Sequence, residues 1–434
     1  MKKTKLAPKF WAALVIFSLV GQIAWVVENM YFNVFIYKMF RASAADISLM
    51  VAASAVIATL TTIFIGALSD KLGKRKIFIC GGYMIWGITI ISFAFIRTDV
   101  IQSLFAVTAS AASIGITLVI IMDCVMTFFG STANDACFNA WLTDSTDATN
   151  RGSAEGINAM MPLVAILVVF GGFMGFNLDL PESWTTIFLI IGISVSVIGF
   201  LGIFIVKEPV IDRSGNKGYF ANIIYGFRPS VMRSNPVLYV SLLAFAVFNI
   251  SIQIFMPYLI LYYEVSLGME NYVMIMAPAI IVAAVVTLFY GKFYDKVHFR
   301  VAVIPALIML ALGYLLLFLF RGTALVFIGS LLMMSGYLAG MAVFGAMIRD
   351  HTPENRAGMF QGLRIVCQVL IPGIIGPAIG AAVLKNAEVI ENSDGTTSFI
   401  PNANIFITAL IAACCIIPFL ILIFHLIKKQ RTEA

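Results

Sequence analysis

Long apolar runs alternate along the chain with short polar connections. Six runs fall at about residues 10–37, 47–69, 77–97, 112–142, 154–176 and 185–206, each bounded by charges, glycine or proline. After a basic stretch, six more follow at about 237–263, 271–291, 301–320, 324–348, 357–384 and 403–427. Each is long enough to cross a bilayer as a helix. Residues 98–111 read equally as an outer loop, an interfacial helix or an extension of the fourth run. The pattern predicts an all-α membrane protein with twelve transmembrane helices. Its expected organisation is an N-terminal six-helix bundle over 1–206, a cytoplasmic linker over 207–236 and a C-terminal six-helix bundle over 237–434.

Composition narrows the class. Of 434 residues, 61% are hydrophobic and 12% charged, with a mean hydropathy of +0.99, whereas a soluble domain carries about 25% charged residues. The longest polar interior stretch, Lys207 to Pro236, is too short to fold a core of its own. Soluble enzymes, nucleic-acid binders and secreted scaffolds are excluded. The basic start, Lys2, Lys3 and Lys5, leads into an apolar run without a small-residue cleavage site, which reads as an uncleaved first span.

Charge placement gives the orientation. With the N-terminus in the cytoplasm, 22 of the 28 lysines and arginines lie on inner segments, five (Lys38, Arg41, Arg97, Arg321, Lys385) lie outside, and Arg364 lies within a span. That skew predicts N-in, C-in topology, so the net charge of +6 reflects topology rather than a binding patch. Outer loops collect acids instead, among them Asp46, Asp99, Asp179, Glu182, Glu264, Glu270 and Asp394. The six cysteines lie in or beside apolar segments without metal-ligand spacing and read as small core residues. His298, His351 and His425 are too scattered for a metal site, and no cofactor is expected.

The halves repeat one another. Gly66-Ala-Leu-Ser-Asp70 after the second run is echoed by Gly291-Lys-Phe-Tyr-Asp295 after the eighth. Asp144 to Arg151 after the fourth run is echoed by Asp350 to Arg356 after the tenth. Two echoes at equivalent places imply duplication and a pseudo-twofold pair of bundles, the architecture of transporters.

The stretch Gly66-Ala-Leu-Ser-Asp70-Lys-Leu-Gly73-Lys-Arg75-Lys resembles the loop motif of the major facilitator superfamily between its second and third helices. Gly66 suits a close helix approach, Gly73 a sharp turn, and the four bases an inner loop beside anionic lipid. The resemblance implies that Asp70 pairs with neighbouring helix ends and basic groups to steady one access state. Gly66, Asp70, Gly73, Arg75, Asp144, Arg151, Asp295 and Arg356 are thus expected conformational residues. The segment Asp135-Ala-Cys-Phe-Asn-Ala-Trp-Leu-Thr-Asp144, followed by Asn150-Arg151, is similar to the glycoside-pentoside-hexuronide:cation symporters, the melibiose permease group. Glu28-Asn-Met-Tyr-Phe-Asn33 resembles the same group's first-span motif, with Glu28 where the family has a sugar-binding aspartate. The sucrose and proton symporter branch is the nearer likeness. Melibiose permeases carry two further aspartates in the second span for sodium, whereas Val51 to Leu68 contains no acid. A proton is therefore the expected coupling ion ahead of sodium.

Ionisable side chains inside a bilayer are costly and are functional candidates by default. Asp135, expected to share a polar face with Ser131, Asn134 and Asn139, is either a proton carrier, a substrate acceptor or a helix tether. Removal of a carboxyl group from water favours its protonated form, which suits the first role. Glu28, on a span that also carries Gln22, Asn29 and Asn33, is a candidate for substrate or proton binding, and Trp25 one turn earlier could stack on a sugar or anchor the interface. A rise estimate places Glu28 outside the midplane and Asp135 inside it, with Asp123 near the depth of Glu28. Asp123 could share a proton there or line an outer vestibule. Arg364 with Gln368 forms a polar strip facing a cavity, an inner gate or cytoplasmic water, and Asn249 with Gln253 suits hydroxyl-rich ligands or glues helices.

The expected function is secondary active transport, with proton-coupled symport of a sugar or glycoside by alternating access. The expected partners are that small molecule, a proton and the lipid bilayer, with no nucleic acid, and the expected location is the plasma (inner) membrane. A carrier of drugs or lipids, a membrane transferase and a sensor are the alternatives. The short loops offer no catalytic constellation, so no enzyme is expected.

Overall fold

The computed structural model describes residues 6–105, 111–147, 150–209, 226–269, 271–352, 362–392 and 395–433. Among these, twelve helices are long and apolar enough to cross a membrane. They are α1 (Pro8–Phe40), α2 (Ala44–Leu72), α3 (Lys76–Phe95), α4 (Ala111–Asp144), α5 (Ser153–Phe173), α6 (Pro181–Ile205), α7 (Pro236–Ser266), α8 (Val273–Tyr290), α9 (Lys292–Leu319), α10 (Thr323–Asp350), α11 (Gly362–Leu384) and α12 (Asn404–Lys429). Helices satisfy their own backbone groups, the condition for spanning lipid. The fold is all-α through the spans, with two bundles of six. The chain divides into two compact units, Met1–Asp46 with Ala53–Phe220, and Ile47–Ala52 with Ala221–Ala434.

Local chemistry sets the helix ends. Pro8, Pro181 and Pro236 stand in the first turns of α1, α6 and α7, where the missing N–H costs no hydrogen bond. Ser43 and Asp46 form a reciprocal capping box on α2, so Asp46, expected as an outer-loop acid, serves a helix end. Gly73 ends α2 at φ 61° and ψ 35°, a left-handed turn that suits glycine. The Glu208 carboxylate accepts from the backbone N–H groups of Arg75 and Lys76 at the start of α3.

Within the first unit α3 packs on α6 through backbone contact, since a Cβ at Gly87 would collide with Ser196 Oγ and the Gly192 carbonyl. In the second unit Gly313 and Gly336 serve α9 and α10 in the same way, against Met333 and Leu310. Tyr31, Tyr83, Trp86, Trp141 and Trp184 are fully buried in the first unit, and Tyr258, Tyr262, Tyr263 and Tyr314 in the second.

Residues Thr98–Phe105 form a short helix of their own before α4, which agrees with the helical reading among the three left open for residues 98–111. Its start carries an exposed ion pair from Arg97 to Asp99 at 3.0 Å, and that hydrogen bond holds the Asp99 carboxyl below its usual range. The segment between α6 and α7 contains a helix over Pro229–Ser234. A two-stranded antiparallel hairpin, Val389–Glu391 with Thr397–Phe399, joins α11 to α12. α9 begins before residue 301 but is broken at His298, so its continuous part starts close to the expected place. Cys80, Cys137 and Cys367 are buried as expected, but Cys414 and Cys415 are exposed on α12. A lipid-facing helix tolerates small apolar residues on its outer surface, so the pattern did not separate core from lipid.

Candidate functional site

Two carboxylates of the first unit sit where its helices loosen. Glu28 lies in a π-helical turn, Val27–Tyr31, and Asp135 in a longer one, Ser131–Phe138. In the second unit Gln368 lies in a third, Val366–Leu370. Such turns shift side chains off the regular helical register and are frequent at functional sites.

The turn in α1 brings Glu28 beside Asp123 and Thr127, one helical turn apart on α4, and beside Ser54 on α2. The Ser54 hydroxyl lies 2.9 Å from Glu28 Oε1, 3.0 Å from Asp123 Oδ2 and 2.7 Å from Thr127 Oγ1, and Thr127 donates to Glu28 Oε1 at 2.8 Å. Glu28, Asp123 and Thr127 are buried, with Asp123 at 2% exposure. Glu28 Oε2 and Asp123 Oδ1 are buried and unpartnered. Four oxygen contacts thus share the two protons that Ser54 and Thr127 supply. Two further protons, one on each carboxyl, would complete the set. Each carboxyl could then donate to Ser54, Ser54 to Thr127, and Thr127 to Glu28.

Asn33, on the same helix as Glu28, is fully buried, donates to the Asn29 carbonyl at 3.0 Å and leaves its Oδ1 unpartnered. Asp135 is half-buried and accepts from Ser131 Oγ at 3.0 Å, while Asn139 donates to the Asp135 backbone carbonyl at 3.1 Å. Asn134 does not join that face. Its amide donates to Tyr83 Oη at 2.6 Å and its Oδ1 accepts from Trp25 Nε1 at 3.3 Å, because neighbouring residues on a helix diverge by about 100°. Trp25 packs against Trp86 with ring centroids 5.0 Å apart.

The loop motif folds into a second cluster. Arg75, 4% exposed, pairs with Asp70, donates to Ser69 Oγ through Nη1, and reaches Asp144 Oδ2 through Nε at 3.0 Å. Trp141 Nε1 donates to the Lys207 carbonyl at 2.9 Å, tying the end of α4 to the segment after α6. Ser69 also donates to the Gly66 carbonyl at 2.9 Å. Arg151 begins the helix that contains α5, but its side chain lies outside the described residues, as does Arg356.

In the second unit Arg364 donates to Gln368 Oε1 at 3.3 Å. Asn249 is buried and donates to the Phe245 carbonyl of its own helix at 2.8 Å, and Gln253 packs against Gly376 of α11. Asp295 is exposed, whereas Asp350 accepts from Tyr294 Oη at 2.7 Å. A cavity of about 320 Å³ in the first unit is lined by Phe35, Arg97, Asp99 and Trp184 and does not include Glu28, Asp123 or Asp135.

Ser54 and Thr127 were not singled out by sequence. Thr127 follows Asp123 by four residues, a spacing that could have flagged it. Ser54 sits in Val51-Ala-Ala-Ser54-Ala55, a context indistinguishable from small-residue helix packing.

The Major Facilitator Superfamily model matches residues 10–377. No curated protein matches the chain. Among solved structures, the fold resembles a bacterial homologue of the human lysosomal transporter Spinster in an inward-facing, unoccupied conformation, at 15% identity over 96% of this chain and 98% of that one, with a TM-score of 0.69. It also resembles the nucleoside transporter NupG, at 13% identity over 96% and 98% with a TM-score of 0.65. A third is the xylose transporter XylE from E. coli, partially occluded and inward open, at 14% identity over 96% and 99% with a TM-score of 0.67. The repeated loop motif, the twelve spans in two units and the match across most of its length make this chain an integral membrane member of the Major Facilitator Superfamily, a secondary active transporter and not an enzyme.

Proposed function

We propose that this transporter moves a sugar or glycoside together with a proton, in the manner of the glycoside-pentoside-hexuronide:cation symporters, across the plasma membrane. Glu28 and Asp123 take the coupling proton. The observation that carries this reading is their shared hydroxyl pair, Ser54 and Thr127, in which four short contacts have two protons between them. A proton added to either carboxyl supplies a donor that this buried network lacks, and it is released when water reaches the site. The acid-free stretch Val51 to Leu68 supports a proton over sodium.

Asp135, partly open and with Asn139 one turn away, accepts sugar hydroxyls, assisted by Asn33 in the first bundle; within the second bundle Asn249, Gln253, Arg364 and Gln368 offer groups of the same kind. Carboxylates and amides suit paired hydroxyls because they accept and donate in fixed geometry. The bundles 1–206 and 237–434, joined by 207–236, are oriented N-in and C-in by their basic inner segments. The Arg75 cluster holds the inner end of the first bundle together as access alternates.

The test is uptake of labelled sugars by proteoliposomes. An inward proton gradient should drive accumulation of at least one sugar above its equilibrium level, by tenfold or more, and dissipating the gradient should return it to equilibrium. The panel includes nucleosides, since two structures of similar fold are named as xylose and nucleoside transporters and both cargoes carry a hydroxylated ring. Equilibration without accumulation, at any gradient, would remove proton coupling from the reading.

A further inference from the structure

The second half repeats the loop motif with changes that turn an internal ion-pair cluster into a basic cavity. Gly66 to Arg75 aligns with Gly291 to Arg300, so His298 stands where the first half has Gly73, and Arg300 where it has Arg75. His298 shares the positive φ, 60° against 61° for Gly73, but with ψ of 179° against 35°, so it breaks the helix in a conformation strained for a residue with a β-carbon. Strain of this kind persists where the surroundings enforce it, and it clusters at ligand sites.

The arginines differ as sharply. Arg75 is buried between two aspartates, whereas Arg300 is exposed with its guanidinium 5.5 Å from the Phe424 ring centroid. Asp350, which ends α10 as Asp144 ends α4, accepts from the Tyr294 hydroxyl instead. The acid is engaged by a neutral donor and the arginine lies over an aromatic ring. His298, Arg300, His351 and Lys428 are the basic residues lining a cavity of about 540 Å³, whose wall also holds Asp350 and apolar side chains, Phe424 among them. Spans alternate in direction, so the start of α9 and the ends of α10 and α12 lie at span ends on one face of the membrane. Arginine and lysine at such a face recognise phosphate oxygens, arginine through its planar fork.

We infer that this cavity binds a phosphate group, presented either by an anionic lipid headgroup or as free phosphate. The site belongs to the second unit alone and does not depend on which cargo is carried. Purified full-length protein in detergent is unfolded thermally with dioleoylphosphatidylglycerol, dioleoylphosphatidylcholine or sodium phosphate, each against sodium chloride at matched ionic strength.

The melting temperature should rise with phosphatidylglycerol or with phosphate, and not with phosphatidylcholine. Arg300→Gln with Lys428→Gln should weaken the apparent affinity at least tenfold. Lys9→Gln with Lys385→Gln, which removes the same charge elsewhere, should leave it unchanged. A rise with phosphatidylglycerol alone assigns the lipid, and a rise with phosphate that also displaces the lipid assigns the free anion. Absence of any rise, or equal weakening in both double variants, overturns the inference. Should the Arg300 variant fail to fold, Lys428→Gln alone, at the exposed end of α12, is expected to weaken binding at least threefold, and an unchanged affinity there overturns it equally.

Discussion

Glu28→Gln should reduce uphill accumulation to the equilibrium level while exchange of labelled for unlabelled sugar continues, and Asp123→Asn should do the same. The amides keep the size of the carboxyls but cannot carry the exchangeable proton, so the carrier would cycle loaded with cargo yet detached from the gradient. Ser54→Ala should be intermediate. It removes the oxygen common to Glu28, Asp123 and Thr127 and leaves buried carboxyl oxygens short of a partner, which costs about 1–3 kcal/mol. At about 1.4 kcal/mol per factor of ten, proton affinity at the site should weaken roughly 5- to 100-fold, and the accumulation ratio should lie between the parent's and the equilibrium level. Asp135→Asn should behave differently, losing exchange as well as accumulation, because its proposed partner is the sugar. Accumulation ratios and counterflow in proteoliposomes separate the two patterns. Normal accumulation by both Glu28→Gln and Asp123→Asn would remove the proton from this site.

Arg75→Gln should destabilise the first bundle more than any single aspartate change in the same cluster. Its guanidinium is buried and serves Asp70 and Asp144 at once, so its removal leaves two carboxylates facing each other across the place it occupied. Breaking a buried pair costs about 3–5 kcal/mol. Asp70 and Asp144 keep side-chain exposures of 31% and 26%, and solvent screening brings the expected loss nearer 2–3 kcal/mol. For a unit of about 200 residues this lowers the melting temperature by roughly 4–10 °C. Arg75→Lys should recover little, since an ammonium lacks the planar fork that reaches both acids. Asp144→Asn should cost less, because Arg75 keeps Asp70. Thermal unfolding of the purified variants in one detergent checks the order. A Gln variant as stable as the parent would mean that the cluster holds nothing together.

The spans were legible because a bilayer imposes length on apolar runs. Glu28, Asp123 and Asp135 stood out for a related reason, since ionisable groups are rare at that depth. Their partners were hidden. Ser54 lies 26 residues from Glu28 and 69 from Asp123 in sequence, and the register between spans that brings them together leaves no local pattern. The π-helical turns at Glu28 and Asp135 shift side-chain directions in ways a regular period does not anticipate. Asn134 was expected beside Asp135 and instead bonds Tyr83 and Trp25. The repeated motif revealed duplication but not divergence. Asp350 is spaced like Asp144, yet one bonds a tyrosine and the other an arginine.

The central claim is that sugar and proton move together through the Glu28 and Asp123 pair. Its most direct measurement is the external pH of a lightly buffered, energy-depleted suspension of cells expressing the protein, pulsed with a panel of mono- and disaccharides. The account predicts alkalinisation by at least one sugar in the parent and none in Glu28→Gln cells carrying equal amounts of folded protein. Alkalinisation of the same size in both would contradict it.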